Sequence, residues 1–251
     1  MGVMRLSESL SQDLLVVENL SRSFGSLDAV SQLSFEVHRG EILGIMGPNG
    51  AGKTTVFNLL TGIVTPDSGR VILNGRDITR FSPAKRCRAG IGRTYQIPRP
   101  FAKMTVLENL MVAAVHGGGL LERHAKRKSD AILEQINLTP VRNHFAGSLS
   151  LLDRKRLELG RALASQPALI LIDEVAGGLT EKEVEALLLI VKEIQKQGIT
   201  IIWIEHIMMM MSEGADRVLV IAEGKRLQCG NPSEVMCSQD VLECYLGEEE
   251  C

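Results

Sequence analysis

No two cysteines in this sequence stand at C-x-x-C spacing, and no histidine lies at metal-ligand spacing from any of the five, Cys87, Cys229, Cys237, Cys244 and Cys251. That pattern excludes a cysteine zinc site. With no signal peptide in view, the cysteines read as free thiols in a reducing cytosol. No apolar run approaches the roughly 18 residues that a bilayer span requires. Work at a membrane would therefore go through another protein that spans it. Charge of one sign is lacking as well: 28 Lys and Arg stand against 30 Asp and Glu, a formal charge of −2. This removes any general electrostatic case for nucleic acid as a partner. Internal repeats and low-complexity segments are also missing.

What is present is ordinary globular composition, 45% apolar and 23% charged over 251 residues. That length suffices for one large domain, or a core with a subdomain, and for a sizeable buried core. Residues 1–13 read as a flexible leader and residues 247–251 as an acidic tail. From Leu14 onward strands and helices alternate, which favours an α/β sheet. E-I-L-G-I-M (41–46) is a short apolar strand, followed by a glycine-rich loop and a helix ending near Gly62. P-D-S-G-R-V-I-L-N-G (66–75) carries hairpin signals, Asn74-Gly75 being the turn, and implies a small antiparallel layer beside the main sheet.

From about Pro83 the texture turns helical. T-V-L-E-N-L-M-V-A-A-V (105–115) runs to the glycines at 117–119, and residues 122–138 are basic at their start and apolar at their end. We read about 83–165 as a helical insertion in a core of 14–82 and 166–246. A-L-I-L-I-D (168–173) is a buried strand, and T-E-K-E at Thr180 opens a helix with a capping box. Val184, Leu187, Leu188, Val191 and Ile194 give that helix one apolar stripe. T-I-I-W-I-E-H (200–206) is the next strand.

G-P-N-G-A-G-K-T (47–54) fits the phosphate-loop pattern G-x-x-x-x-G-K-[ST] in full. Its glycines, Gly47, Gly50 and Gly52, let successive backbone N–H groups turn inward around phosphate oxygens, along a loop that also holds Pro48, Asn49 and Ala51. The following helix N-terminus adds positive potential. Lys53 reaches β- and γ-phosphates, and the Thr54 hydroxyl suits Mg²⁺, with Thr55 next in line. A strand before and a helix after the loop argue against a chance glycine-rich turn. Asp173 stands at the carboxyl end of a buried strand, the edge where ligands bind in open α/β sheets, and would hold Mg²⁺ through water. Adjacent Glu174 is then free to polarise an attacking water. The guanine-reading N-K-x-D pattern is absent, which favours ATP.

These residues carry a resemblance. G-P-N-G-A-G-K-T-T, R-T-Y-Q (93–96), the L-S…R-K-R-L-E-L-G-R-A-L-A block (149–164), L-I-D-E (171–174) and I-E-H (204–206) occur in the order found in ATP-binding subunits of ABC transporters. The chain resembles that family from about Leu14 to Leu246. F-N-L-L-T-G (57–62), R-T-Y-Q and W-I-E-H-I-M look most similar to the importer ATPases for branched-chain amino acids. The resemblance implies an α/β P-loop NTPase (RecA-like) core with an antiparallel layer and a helical insertion subdomain. It implies ATP and Mg²⁺ as cofactors, a second ATP-binding subunit, membrane permease subunits and, indirectly, an external substrate-binding protein. It implies a peripheral position on the cytoplasmic membrane face. Gln96, at the end of a strand over 91–96, would touch Mg²⁺ or the attacking water. His206 would hydrogen-bond the γ-phosphate, although a lone histidine after a strand is often a surface residue. Phe24 takes the place of the aromatic that stacks on adenine, with a plain core phenylalanine as its rival. The Met208–Met211 run is read as helix packing, and Arg123, His124, Lys126, Arg127 and Lys128 as a solvated helix face.

The chain departs from the family pattern at three places. Val175 follows the acid pair where proline is common, and Thr180 stands where Asn or Asp is usual. L-S-L-L-D (149–153) replaces L-S-G-G-Q, whose helix points at the ATP of the opposite subunit. Ser150 is kept for that partner's ATP, while Leu151 and Leu152 add bulk and Asp153 adds charge. At about 4 Å and an effective dielectric near 20, such a charge opposes phosphate by about 4 kcal/mol, which Arg154 offsets only if it turns inward. A heterodimer with an ordinary signature on the other subunit is the favoured assembly. The rival to the motor reading is a nucleotide-binding regulatory module of an ABC complex with little turnover.

Overall fold

The computed structural model describes residues 12–246. Most of the leader (1–11) and the acidic tail (247–251) lie outside them. The chain forms two compact units, one of residues up to Pro83 together with those from Thr200 onward, the other of Ala84–Ile199. The helical insertion read at about 83–165 thus falls within the second unit, which runs further.

The first unit holds two sheets. One is antiparallel, in the order β2 (Leu27–His38), β1 (Asp13–Phe24), β4 (Ser68–Leu73), β5 (Arg76–Asp77). The expected turn is present: Asn74 and Gly75 have φ of 52° and 72° and join Leu73 to its cross-strand partner Arg76. Two left-handed residues in a two-residue loop match the right-handed strand twist, which is why Asn-Gly is favoured there. The other sheet runs β10 (Lys225–Gly230), β9 (Arg217–Ala222), β3 (Ile42–Met46), β8 (Thr200–Ile204). β3 lies parallel to both neighbours. All five residues of β3 and of β8 are buried, which explains their unbroken apolar runs: a parallel strand is covered on both faces. Gly44 lets a helix close on β3, since a Cβ there would meet Met211 Sδ at 2.6 Å. That helix is Met208–Gly214. Its methionines divide, Met210 and Met211 being buried and Met208 and Met209 exposed, so the packing reading holds for half of the run.

In the second unit β6 (Ile91–Arg93) pairs in parallel with β7 (Leu169–Asp173). Counting helices along the chain, α1 is Lys53–Thr61, α2 Pro83–Arg88, α3 Val106–Val112, α4 Glu122–Gln135, α5 Leu151–Ala164, α6 Glu181–Lys196, α7 Met208–Gly214, α8 Pro232–Met236 and α9 Gln239–Leu246. One differs in detail from what the sequence implies. α3 ends at Val112 and continues as a wide π-turn over Ala113–Gly117. Glycine lets the chain come close there: a Cβ on Gly117 would lie 2.8 Å from Ser165 Cβ, and one on Gly118 would lie 2.8 Å from Ala114 O. The glycines allow the turn to press against the end of α5. α3 itself begins with a capping box, Thr105 N–H donating to Glu108 at 2.7 Å. Asn109, fully buried, fixes the loop before it: its Oδ1 accepts from Phe101 N–H at 2.8 Å and its Nδ2 donates to Thr105 O at 2.9 Å.

α6 matches its reading. Thr180 N–H donates to Glu183 at 2.8 Å, and that bond holds the Glu183 carboxyl below its ordinary value. Its whole apolar stripe is buried. On α4, Arg123, Lys126, Arg127 and Lys128 are exposed and His124 is half-buried, as a solvated face requires.

Candidate functional site

In the first unit β3 leads directly into the phosphate loop. Gly47, Gly50 and Gly52 have φ of 151°, 78° and 98°. A Cβ on Gly47 would lie 2.0 Å from Ile221 O, and one on Gly52 would lie 2.2 Å from Ala29 O. Neither position admits another residue. Gly52 caps α1 and, having no side chain, makes no cap bond of its own. Lys53 is 6% exposed, and its Nζ donates to Gly47 O at 2.5 Å and Pro48 O at 2.8 Å. The ammonium therefore lies along the inside of the loop. Ala51 is buried and Gly52, Pro48 and Thr55 are half-buried, while Asn49, Gly50 and Thr54 are exposed.

β8 places His206 at the same edge. Ile204 is the register partner of Ile45 in parallel strands, so His206 and Gly47 each stand two residues beyond paired positions. His206 is exposed, and its N–H donates to Glu205 Oε2 at 3.3 Å. Phe24 is 45% exposed, with the Arg22 guanidinium 4.9 Å from its ring centroid. It is a surface ring, which removes the core alternative.

In the second unit β7 ends on Asp173. Arg93 Nη2 pairs with Asp173 Oδ2 at 2.9 Å, both side chains being 8% exposed. Asp173 N–H donates to Thr94 Oγ1 at 3.2 Å, and Thr94 N–H to Leu171 O at 2.9 Å. Glu174 turns into the left-handed region, φ 43°, a conformation uncommon outside glycine. Its carboxylate accepts from Gln96 Nε2 at 2.5 Å. The segment 93–96 thus grips both acids. Arg93 and Thr94 had no role in the sequence reading, although both stand in the R-T-Y-Q motif; parallel pairing of 91–93 with 169–171 was the missing signal.

The strand before Gln96 is shorter than the sequence implies. It covers Ile91–Arg93, not 91–96. Tyr95, Gln96 and Ile97 are all exposed, without the alternation of a paired strand, and Pro98 has no N–H for a ladder. Gln96 consequently sits on an irregular loop three residues past the strand.

The altered signature opens α5. Ser150 is the exposed N-cap, accepting from Asp153 N–H at 3.2 Å. Leu151 is 46% exposed. Arg154 donates to Gly147 O at 2.9 Å, while Arg156 Nη1 lies 3.4 Å from Asp153 Oδ1. The cation beside Asp153 is Arg156, not Arg154.

Among the described residues no group of three or more His, Cys, Asp or Glu is arranged to hold a metal ion, and no helix is long and apolar enough to cross a membrane. The buried Asp173 carboxylate is nevertheless an oxygen donor of the kind Mg²⁺ takes.

Fold and loop together define a nucleotide-driven P-loop ATPase, and the ABC transporter family profile matches residues 30–177. The chain belongs to that family: it is an ATP-binding subunit that binds and hydrolyses ATP. It is 39% identical to the high-affinity branched-chain amino acid transport ATP-binding protein LivG of Salmonella typhimurium over 95% of this chain and 100% of that protein. It is 35% identical to BraF of Pseudomonas aeruginosa, of the same description, over 95% and 100%. The lipopolysaccharide export system ATP-binding protein LptB of Haemophilus influenzae is 34% identical over 94% and 98%. A nucleotide-free ATP-binding cassette from an ABC transporter superposes with a TM-score of 0.85 at 32% identity, covering 93% of this chain and 98% of that one. The expected α/β P-loop fold with its antiparallel layer is thereby established.

Proposed function

We propose that this chain is the motor subunit of an importer for branched-chain amino acids. The observation that carries the proposal is the end-to-end relation to LivG and BraF, with no part of either protein left unmatched. In this reading the nucleotide is held by the core (14–82 and 166–246), and the helical insertion (about 83–165) meets partners. The Gly47–Thr55 loop cradles the phosphates, Lys53 neutralises β- and γ-oxygens, and Phe24 stacks on adenine. Thr54, Gln96 and Asp173 would hold Mg²⁺, which when bound draws charge from the β- and γ-phosphates. Glu174 orients a water and accepts its proton as the water oxygen bonds to the γ-phosphorus. The bond from that phosphorus to the bridging oxygen breaks, and ADP and phosphate leave. His206 donates to the γ-phosphate.

The partners in this proposal are a second ATP-binding subunit, in a heterodimer, and membrane permeases, with an external substrate-binding protein acting through them. Nucleic acid has no part. Exposed Tyr95, Ile97 and Phe101 flank Gln96 and suit the permease contact, and the chain would sit peripherally on the cytoplasmic membrane face. A regulatory module with little turnover is the second reading, supported by Asp153 within the signature.

The test is co-purification from solubilised membranes, with the bound chains identified, followed by uptake of labelled leucine into vesicles carrying the complex. Permease chains and ATP-dependent leucine uptake support the proposal. Lipid export without leucine uptake would overturn the importer reading, and an assembled complex without phosphate release would favour the regulatory one.

A further inference from the structure

We infer that Tyr245 is a positioning residue for the phosphate loop, and that through it helix α9 and bound nucleotide stabilise each other. The Tyr245 hydroxyl accepts from Gly47 N–H at 2.7 Å, across 198 residues of sequence. One turn earlier on α9, Val241 is 2% exposed. Residues four apart share a helix face, so burial of Val241 aims Tyr245 at the loop. Leu242 is 44% exposed, away from that face.

Gly47 is where such a bond has most leverage. Its Cα is already closed in by Ile221 O, which leaves a Cβ only 2.0 Å. Met46, just before it, is the register partner of Val220 on β9. With those sides fixed, the remaining freedom is rotation of the Met46–Gly47 peptide, and the tyrosine hydroxyl sets that angle. Every later N–H of the loop inherits its direction from this first peptide, and convergence of those N–H groups is what makes a phosphate nest. Gly47 is buried, whereas Asn49, Gly50 and Thr54 are exposed. Tyr245 thus engages the loop at its buried entrance and leaves the open side to the nucleotide. Coupling of this kind is reciprocal: if α9 raises nucleotide affinity, nucleotide tightens α9 by the same factor.

The experiment compares the purified parent chain with Tyr245→Phe, which keeps the ring and removes the hydroxyl. ATP affinity, melting midpoint and amide hydrogen exchange over 43–50 and 239–246 are measured with and without ATP. Loss of one hydrogen bond at a neutral amide predicts about three- to tenfold weaker ATP binding, with KM raised and kcat unchanged. The melting midpoint stays within about 2 °C, and exchange over 43–50 quickens. In the parent, ATP slows exchange over 239–246; in the variant that protection is reduced. Affinity within twofold of the parent, with exchange unchanged in both segments, overturns the inference. So does an equal loss in Leu242→Ala, which perturbs the same helix on its outer face. Because the inference rests on the loop's binding nucleotide, Lys53→Ala is run alongside: if it retains affinity, the loop reading fails rather than the role of Tyr245.

Discussion

The Gln96 side-chain amide donates to the Glu174 carboxylate at 2.5 Å, joining an exposed loop to the residue beside the last acid of a buried strand. A hydrogen bond this short fixes the direction of the carboxylate. Tyr95 and Ile97, the immediate neighbours of Gln96, are exposed apolar side chains. A force applied to that loop from outside would act on a side chain bonded directly to Glu174.

Glu174→Gln should leave ATP binding intact and lower turnover by roughly 10²- to 10⁴-fold, the range for removing a general base. Affinity and phosphate release are measured on the purified complex. Unchanged phosphate release would sink the assignment of Glu174.

Lys53→Ala should act on binding instead, because a direct charge on the phosphates is lost. We expect affinity to fall by more than tenfold. A change within about twofold, roughly 0.4 kcal/mol, contradicts the cradle.

Gly52→Ala tests the loop's geometry without touching charge. The substitution forces a Cβ to 2.2 Å from Ala29 O at a φ of 98°. Steric and backbone strain together should remove about 2 kcal/mol or more of stability, with nucleotide affinity falling too. Thermal melting is the readout, and a variant as stable as the parent refutes the close approach.

The signature prediction concerns assembly. Asp153 has Arg156 beside it at 3.4 Å, a partial offset, yet Leu151 remains exposed at the helix start. We expect the homodimer to hydrolyse ATP poorly and a mixture with a related ATPase to hydrolyse it well. Restoring Gly at 151 and 152 and Gln at 153 should raise homodimer activity. Equal rates for homodimer and mixture, with no effect of restoration, defeat the asymmetry.

The phosphate loop was legible because its function demands residue types: glycine where a Cβ has no room, lysine and threonine at fixed offsets. The strands read at 41–46, 168–173 and 200–206 were legible as apolar runs, which burial on both faces requires, though they span Ile42–Met46, Leu169–Asp173 and Thr200–Ile204; the Asn74-Gly75 turn was legible because those residue types tolerate positive φ. What escaped reading depends on spatial neighbours. Arg93 opposite Asp173 follows from parallel register, the close approach of Gly117 to Ser165 from packing between helices, and the Tyr245–Gly47 bond from a helix almost 200 residues away. Gln96 was identified by kind but assigned to a strand that stops three residues earlier, since short polar segments carry no periodicity.

Asn109 gives the exposed surface near Gln96 a further property. Its side chain bonds Phe101 N–H, Phe101 O, Met104 O and Thr105 O from a fully buried position. The turn bearing Phe101 is thereby immobilised when the chain folds, before any partner arrives. Ordering a loop residue upon association would forfeit roughly 1–2 kcal/mol of conformational entropy each, and here that loss has already been taken. If the permease meets this surface as proposed, it would meet a shape already rigid, and its movement would pass to the acids with little given up to loop ordering.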